Sequence, residues 1–491
     1  MYSLGIDIGS SSVKVSLLDI ESGSCPCSAA FPKTEAPISA PYKGWAEQNP
    51  ESWWEYVCQG IRELGRSADL SKVRSIGITY QMHGLVTVGE DGHPLRDSII
   101  WCDSRAVGIG EEAFETLGRE RCLSHLLNSP GNFTASKLAW VKRNEPDIYS
   151  KVRKVMLPGD YIAYKLSGEV STTRTGLSEQ ILWDFRENRP ADFVADFFGF
   201  DRSLFPQTVP SIGEQCRTTA AVRSLLGIPE GTPICYRAGD QPNNAFSLNV
   251  LEPGEIAATG GTSGVVYGVT DEPRYDNASR VNTFLHVNDS PEAHRYGVLL
   301  CINGTGIMNS WIHHNVTPEL DYAQMNVLAA TAPAGADGLL VLPFGNGAER
   351  VLGNRTAGAA FSGLDLVRHT RPHVLRAAQE GIAFSFKYGI DIMRDLGLCP
   401  KIIRAGRANM FLSPLFRETL ATLCDASIEL YDTDGALGAA RGGALGAGFY
   451  SSPQEAFGSL SVLEEVRPQA PMRGVLEDSF GKWKELLIKT L

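Results

Sequence analysis

The sequence predicts an α/β protein built from two similar halves, each opened by a hairpin with a glycine-rich turn. Short β-prone runs alternate with amphipathic helical runs along the chain, a pattern typical of sheets covered by helices. A β-prone run, a Gly/Ser/Thr turn and a second β-prone run occur at residues 4–19 and again at 255–269. A Pro-Gly turn signal at residues 253–254 separates the halves. We therefore predict two domains, residues 1–250 and 251–491.

Individual elements can be placed in both halves. Asn49 followed by proline predicts the start of a helix, because Asn caps helices and Pro suits their first turn. A strand is predicted over residues 73–79. In the second half, apolar residues at helical spacing predict a long helix between Thr370 and Gly397, followed by a strand at residues 402–403. The alternation of the two element types supports the α/β class.

Residues 435–448 form an unusually glycine-rich helical segment. Glycine costs about 1 kcal/mol relative to alanine inside a helix, so this composition needs a compensating reason. Close packing of another backbone against the helix is the simplest one. We predict a tightly packed structural helix here.

Composition excludes several classes of function. The 491 residues are 43% hydrophobic and 21% charged, as in ordinary soluble globular proteins. The net charge of -11 and the absence of a basic run argue against a nucleic-acid partner. Ten cysteines without a Cys-x-x-Cys pair argue against structural zinc. With no secretory leader or membrane-length apolar run, we expect a reduced, cytoplasmic protein without a membrane partner.

The first glycine turn has the residues of an anion-binding loop. Its backbone amides and hydroxyls can surround an anion, Lys14 adds positive charge, and the turn comprises Gly9, Ser10, Ser11 and Ser12. Asp7 lies just before the turn, where its carboxylate can hold Mg²⁺ through water. Many such turns are only turns. The matching turn at residues 260–263, however, predicts two phosphate-binding hairpins, and the chain has neither Gly-x-x-x-x-Gly-Lys-Ser/Thr nor Gly-x-Gly-x-x-Gly.

Asp240 follows a predicted strand over residues 232–236 and precedes a helical run. Open α/β sheets bind ligands at such strand ends, and a carboxylate there can accept the proton of an attacking hydroxyl. Asp is also a favoured helix cap, and the segment alone does not separate the two roles.

Two further strand ends carry residues suited to a polyol. Residues 81–84, Gln-Met-His-Gly, offer a donor, an acceptor and an apolar wall after the strand at 73–79. Trp101 follows another β-prone run, and its ring can pack against the apolar edge of a sugar or within the core.

Taken together, these motifs resemble the FGGY carbohydrate kinases, and within them the xylulokinase group. The resemblance runs from Gly5 to about Gly448, and its joint order is specific although each part alone is weak. Its parts are Gly5-Ile6-Asp7-Ile8-Gly9-Ser10, Gly44-Trp45-Ala46-Glu47-Gln48-Asn49-Pro50, Gln81-Met82-His83-Gly84, Trp101-x-Asp103-x-Arg105, Lys137-Leu138-Ala139-Trp140, Gly239-Asp240-Gln241, Gly260-Gly261-Thr262-Ser263, Ala359-x-Phe361-x-Gly363-Leu364 and Gly435-Ala436-Leu437-Gly438-Ala439-Ala440.

The resemblance implies two actin-like, ribonuclease-H-like ATPase domains flanking a central cleft, with the sugar and the catalytic base in the first and the nucleotide in the second. It implies ATP and Mg²⁺ as cofactors, Asp240 as general base and Asp7 as the catalytic and metal-binding carboxylate. The implied sugar-binding residues are Met82, His83, Trp101, Asp240 and Gln241. The implied nucleotide-binding residues are Gly9, Ser10, Ser11, Ser12, Lys14, Gly261, Thr262, Gly306, Ser310, Gly406 and Asn409.

Met82-His83 favours a ketopentose of the xylulose type, because glycerol kinases of the family carry Arg-Glu there. We expect D-xylulose as substrate and a homodimer as assembly. Gly239-Asp240-Gln241 departs from the Gly-Asp-Asn common in xylulokinases, and residues 405–409 break the usual glycine run. L-xylulose, ribulose and glycerol therefore stay open as substrates. A filament-type or chaperone-type ATPase and an inactive sugar sensor are the alternatives from other classes.

Overall fold

The computed structural model describes residues 1–491 and contains two compact units. The first unit comprises Met1–Asn249, Thr283–Tyr296 and Thr433–Leu460, and the second comprises Val250–Asn282, Gly297–Asp432 and Ser461–Leu491. The first segment of the first unit ends at Asn249, next to the predicted domain boundary at residue 250. The prediction assigned all later residues to the second domain, whereas Thr283–Tyr296 and Thr433–Leu460 belong to the first unit.

The strands are β1 Tyr2–Ile8, β2 Val13–Asp19, β3 Cys27–Phe31, β4 Glu47–Gln48, β5 Val73–Tyr80, β6 Val86–Val88, β7 Ser98–Ile99, β8 Lys154–Met156, β9 Ser171–Thr173, β10 Trp183–Asp184, β11 Arg189–Pro190, β12 Gln207–Val209, β13 Ile212–Arg217, β14 Pro233–Gly239, β15 Ile256–Gly260, β16 Gly264–Thr270, β17 Asn282–Leu285, β18 Tyr296–Ile302, β19 Leu340–Phe344, β20 Gly358–Ser362, β21 Ile402–Gly406, β22 Ser427–Tyr431 and β23 Val462–Val466.

The helices are α1 Pro50–Leu64, α2 Val107–Leu117, α3 Arg119–Leu126, α4 Thr134–Asn144, α5 Pro146–Tyr149, α6 Pro158–Ser167, α7 Arg174–Glu179, α8 Asp192–Phe198, α9 Ala220–Leu226, α10 Asp240–Ser247, α11 Gly306–Val316, α12 Tyr322–Ala330, α13 Arg371–Asp395, α14 Pro414–Cys424, α15 Gly435–Gly446, α16 Pro453–Ala456 and α17 Arg473–Thr490. No helix is both long enough and apolar enough to cross a lipid bilayer.

The first unit is organised around a six-stranded sheet in the order β13-β14-β5-β1-β2-β3. β1 pairs antiparallel with β2 and parallel with β5, and β5 pairs parallel with β14. The carboxyl ends of β1, β5 and β14 therefore lie along one edge of the sheet. This edge brings together the residues that follow these three strands.

The second unit repeats this pattern of pairing. Its sheet has seven strands in the order β17-β18-β16-β15-β21-β22-β23, with β17 as an additional edge strand. β15 pairs antiparallel with β16 and parallel with β21, β21 pairs parallel with β22, and β22 pairs antiparallel with β23. Both predicted hairpins, β1–β2 and β15–β16, are confirmed. In each sheet the first strand of the hairpin pairs antiparallel with the second and parallel with a later strand.

The predicted helices are also present. Asn49 caps α1 by accepting a hydrogen bond from the backbone N–H of Glu51 at 2.9 Å. The strand predicted over 73–79 is β5, and the long helix predicted after Thr370 is α13. Buried apolar side chains of these elements form the core of each unit.

The glycine-rich segment is α15, and it lies directly on the backbone of the first sheet. A Cβ added at Gly5 of β1 would overlap the carbonyl of Ala436, and one at Gly77 of β5 would overlap that of Ala439. A Cβ at Gly446 would overlap the carbonyl of Cys235 in β14. The prediction of a structural helix with close backbone packing is therefore confirmed.

Candidate functional site

The turn between β1 and β2 is held in shape by its own backbone and by a neighbouring side chain. The N–H of Gly9 donates to the carbonyl of Ser12 at 3.0 Å. The Nε2 of Gln48 donates to the carbonyl of Ser10 at 2.7 Å, and the N–H of Ala36 donates to that of Ser11 at 2.7 Å. The predicted glycine turn is thus already formed.

Asp7 lies near the carboxyl end of β1, and the adjacent helix start leaves room for its carboxylate. A Cβ at Gly435, the first residue of α15, would overlap the Oδ2 of Asp7. Burial raises the pKa of Asp7 to about 7, and the nearby Asp240 and Asp434 act in the same direction, while Lys14 acts in the opposite one. Asp7 is thus the centre of a small group of carboxylates.

Asp434 belongs to this group and was not predicted from the sequence. Its Oδ2 forms an ion pair with the Nζ of Lys14, and its Oδ1 accepts a hydrogen bond from the N–H of Leu437 at 3.0 Å. Asp434 therefore caps α15 and holds Lys14 with the same carboxylate. An Asp before a glycine-rich helix is a capping signal that the sequence does contain.

Asp240 is the first residue of α10, directly after β14. The residue in the N-cap position is Gly239, so the simple alternative of a capping Asp is wrong. Burial raises the pKa of Asp240 to about 6, although hydrogen bonds from the Gln241 backbone and side chain and from the Met82 backbone act to lower it. Such a carboxyl group is a suitable general base near neutral pH.

Met82 and His83 occupy a tight turn after β5, on the same sheet edge as Asp240. His83 has a φ of 62°, in the left-handed region. Its backbone carbonyl accepts a hydrogen bond from the Nζ of Lys137 at 2.8 Å. The ring of Phe133 lies edge-on to its imidazole, with centroids 4.6 Å apart. The Met82 side chain is buried.

Glu179, at the end of α7, supports this turn and was also missed from the sequence. Its Oε1 accepts a hydrogen bond from the N–H of His83 at 3.3 Å, and its backbone carbonyl lies 3.1 Å from the Nδ1 of the same residue. Burial raises the pKa of Glu179 well above its usual range. Nothing in the sequence around residue 179 signals a contact with residue 83.

Trp101 is 48% exposed, so the alternative of core packing is wrong for this residue. Its Nε1 donates to the Oγ of Ser10 at 3.4 Å, which places it against the first turn. The neighbouring Arg105 lies over the ring of Trp45 at 3.7 Å and forms an ion pair with Glu47 at 2.6 Å. Arg105 of this motif therefore has a structural role, and sugar binding by Trp101 stays a prediction.

In the second unit, most of the predicted nucleotide residues line one cavity of about 410 Å³. Gly261 and Thr262 supply the hairpin turn, and their carbonyls accept hydrogen bonds from the first two N–H groups of α11, at 3.0 and 3.1 Å. The predicted residues on the wall are Gly261, Thr262, Gly306, Ser310 and Asn409. Gly406 ends β21, pairs with Tyr431 and is absent from this wall.

Tyr322, Asn326 and Ser413 are among the residues on the same wall that were not predicted. They come from α12 and from the segment before α14, far from either glycine turn in sequence. The cavity has an aromatic ring, amide and hydroxyl groups, and backbone approached closely at Gly306, where a Cβ would overlap Gly261. These features fit a nucleoside with attached phosphates.

The carboxylates of the first unit fit Mg²⁺ in its usual mode of binding. No group of three or more His, Cys, Asp or Glu side chains is arranged to hold a metal ion by itself. Mg²⁺ usually takes one or two carboxylates and completes its shell with water and phosphate oxygens. Asp7, with its carboxylate in the space beside Gly435, is the residue that would hold it.

Comparison with known proteins gives a consistent result. A model of the FGGY family of carbohydrate kinases, N-terminal domain, matches residues 2–247, and the model of the C-terminal domain matches residues 256–449. The curated protein "Xylulose kinase" of Bacillus subtilis (strain 168) is 28% identical over 468 residues, covering 92% of this chain and 90% of its own length. That of Escherichia coli (strain K12) is 28% identical over 477 residues, covering 96% and 93%.

Solved structures agree on the architecture. The crystal structure of xylulose kinase from Rhodospirillum rubrum superposes with a TM-score of 0.88 at 25% identity, covering 100% of this chain and 99% of its own. Glycerol kinase from Plasmodium falciparum with ADP reaches 0.88 at 19% identity, covering 100% and 98%, which indicates a shared fold only. The two-domain α/β fold predicted from the sequence is confirmed.

Proposed function

The chain belongs to the FGGY family of carbohydrate kinases, and we propose that it transfers the γ-phosphoryl group of ATP to D-xylulose, forming D-xylulose 5-phosphate. One observation carries the proposal: Asp240, a carboxyl group with a pKa near 6, lies on the same sheet edge as Met82 and His83. The relatives named xylulose kinase support the choice of sugar.

The acceptor hydroxyl is activated by Asp240. In its ionised form this carboxylate accepts the proton of the terminal hydroxyl of the ketose as the oxygen attacks phosphorus. A pKa near 6 leaves the group mostly ionised at neutral pH while keeping it a stronger base than an ordinary Asp. His83 and Gln241 bind the other sugar hydroxyls, and Met82 forms the apolar wall.

The phosphates are bound by backbone groups and neutralised by charge. Phosphoryl transfer passes through a loose transition state, so positioning and charge compensation supply most of the catalysis. The turn of residues 9–12 and Lys14 contact phosphate oxygens, and Asp7 would hold Mg²⁺, which would neutralise phosphate charge. The cavity of the second unit binds the nucleoside.

A second group of acceptors is favoured by one residue. Gln241 follows Asp240 as it does in glycerol kinases of the family, so glycerol, ribulose and L-xylulose belong in the same assay. An inactive sugar sensor would retain the pocket but show no turnover. A cytoplasmic location and a homodimeric assembly stay predictions.

The test is an assay of ADP release with Mg²⁺-ATP and a panel of ketoses and polyols. We expect D-xylulose to give the highest kcat/KM. Asp240→Asn should lower kcat by about 10²-fold or more, since it removes the base. Asp147→Asn, on the surface of α5, is the matched control and should behave as wild type. Near-normal turnover by Asp240→Asn would contradict the assigned base, and no turnover on any sugar would contradict the function.

A further inference from the structure

Glu179 lies between the two segments that carry the sugar-binding residues and the base. We propose that it is a positioning residue of the ketose pocket. It holds the turn at His83 and the backbone before Asp240 so that His83 and Asp240 contact the same sugar molecule. This inference rests on the proposed function and names a residue that the family motifs do not include. Two groups of contacts support it.

The first contacts hold His83 in a strained conformation. A non-glycine residue in the left-handed region is uncommon, and such a strained conformation persists only where neighbouring groups hold it. Glu179 supplies two such contacts, from its carboxylate to the backbone N–H at 3.3 Å and from its carbonyl to the imidazole at 3.1 Å. Glu179 therefore contacts both the backbone and the ring of His83, beside Lys137 on the backbone and Phe133 on the ring.

These contacts also determine the tautomer of His83. The atom facing its Nδ1 is the backbone carbonyl oxygen of Glu179, which can only accept a hydrogen bond. The Nδ1 must therefore carry the proton. In the neutral imidazole, Nε2 is then the acceptor nitrogen, so His83 accepts rather than donates a hydrogen bond with a sugar hydroxyl.

The second group of contacts reaches Gly239, the last residue of β14 and the one before the base. A Cβ at Gly239 would lie 2.7 Å from the Oε2 of Glu179 and 2.5 Å from the Cγ of Met82. The carboxyl group of Glu179 and the side chain of Met82 thus fill the space beside the residue immediately before Asp240. Shortening either side chain would let this backbone move.

The surroundings of Glu179 favour its neutral form. Burial raises its pKa, Asp160 and Asp240 act in the same direction, and the His83 N–H and the Tyr80 hydroxyl act against them. Lys137, whose pKa burial lowers to about 7, faces it from α4. A protonated Glu179 leaves Asp240 as the ionised carboxylate of the pocket, so a neutral side chain of the same shape should replace it.

The experiment compares Glu179→Gln with Glu179→Ala, and Glu187→Ala serves as the exposed control. Glu179→Ala should raise the KM for the ketose about tenfold, which corresponds to the loss of one buried polar contact, and leave the KM for ATP near wild type. Glu179→Gln should have a ketose KM near that of wild type. The fall of kcat/KM at low pH should occur at the same pH as in wild type. Equal impairment of both variants, or an unchanged ketose KM in Glu179→Ala, would overturn the proposal.

Two further measurements keep the result interpretable. If Glu179→Ala does not fold, Glu179→Asp, which withdraws the carboxyl group by one methylene, takes its place with the same expected rise in KM. Nitrogen-15 NMR of the imidazole tests the tautomer without turnover: wild type should show His83 protonated at Nδ1, and protonation at Nε2 would refute the assignment. An enzyme inactive on every sugar that still shows the Nδ1 tautomer would refute the function while confirming the hydrogen bond between His83 and the backbone carbonyl of Glu179.

Discussion

The two glycine-turn hairpins have the same antiparallel strand pairing but differ in the side chains at matching positions. Asp7 stands two residues before Gly9 in the first hairpin, and Thr259 stands two residues before Gly261 in the second. Asp7 pairs across the hairpin with Lys14, whereas Thr259 pairs with Val265. The first hairpin therefore carries ionic groups, and the second carries none at the matching positions.

This difference shows how one supersecondary unit can serve two tasks. The charged hairpin is suited to Mg²⁺ and phosphate oxygens, whose binding depends on charge. The uncharged hairpin lines a cavity through backbone and hydroxyl groups, which suits a nucleoside. If the division is correct, substitutions at matched positions should have unequal effects.

The largest difference is expected between Asp7 and Thr259. Asp7→Asn removes the carboxylate that would hold the metal ion and should lower kcat by about 10²-fold or more. Thr259→Val replaces the matching residue by one of similar size and should leave kcat near wild type. Initial rates with saturating ketose and Mg²⁺-ATP measure both, and similar losses in the two variants would remove the distinction between the hairpins.

The pH dependence is the second test. Asp7 and Asp240 must be ionised to perform their proposed roles. Burial raises the pKa of Asp7 to about 7 and that of Asp240 to about 6. As pH falls the groups become protonated, so kcat/KM should fall about tenfold per pH unit between the two pKa values and more steeply below both, well above the pH at which an ordinary Asp titrates. The concentration of the Mg²⁺-ATP complex is held constant in the assay.

A matched variant sharpens the pH experiment. Asp434→Asn removes a negative charge that raises the pKa of Asp7 and keeps an oxygen to cap α15. The acid limb should therefore move to lower pH in this variant. An acid limb near the pKa of an ordinary Asp, about 4, in wild type would show that these carboxyls are not the titrating groups.

The space around the two turns differs as well. Gly435→Ala places a methyl group on the carboxylate of Asp7 and should reduce kcat about tenfold through misplacement of that group. At Gly261, the nearest atom to an added Cβ is 3.7 Å away, so Gly261→Ala should be tolerated. The reverse order of effects would show that the second turn, rather than the first, is the sterically restricted one.

The smallest effect is expected at the ion pair of Lys14 and Asp434, whose side chains are about one-third exposed. Lys14→Gln should change the free energy of unfolding by less than about 1 kcal/mol, because such pairs contribute little. It should raise the KM for ATP a few-fold if Lys14 contacts phosphate. Chemical denaturation and steady-state kinetics on the same variant separate the two roles, and an unchanged KM would limit Lys14 to the ion pair.

Local signals in the sequence were sufficient for the hairpins, for α1 with its Asn49 cap, and for the placement of Asp240 after β14. In each case the deciding residues are neighbours in the chain. The close packing of α15 was also predictable, because a helix rarely carries so many glycines unless a second backbone lies against it.

Glu179, Asp434 and the second-unit cavity residues Tyr322 and Asn326 could not be placed in the same way. Each meets its site through tertiary contacts between segments far apart in sequence. Trp101 was ambiguous because an aromatic residue after a strand is equally compatible with burial and exposure. The return of residues 433–460 to the first unit depends on packing that periodicity does not reveal.

That return has a consequence for how the protein is made. The ribosome completes β1, β5 and β14 long before it reaches α15, whose backbone closes over them. During synthesis, the face of the first sheet that α15 covers therefore stays uncovered until more than four hundred residues have been made. Residues 1–249 alone should behave as an incomplete folding unit that depends on chaperones, rather than as a separable sugar-binding module.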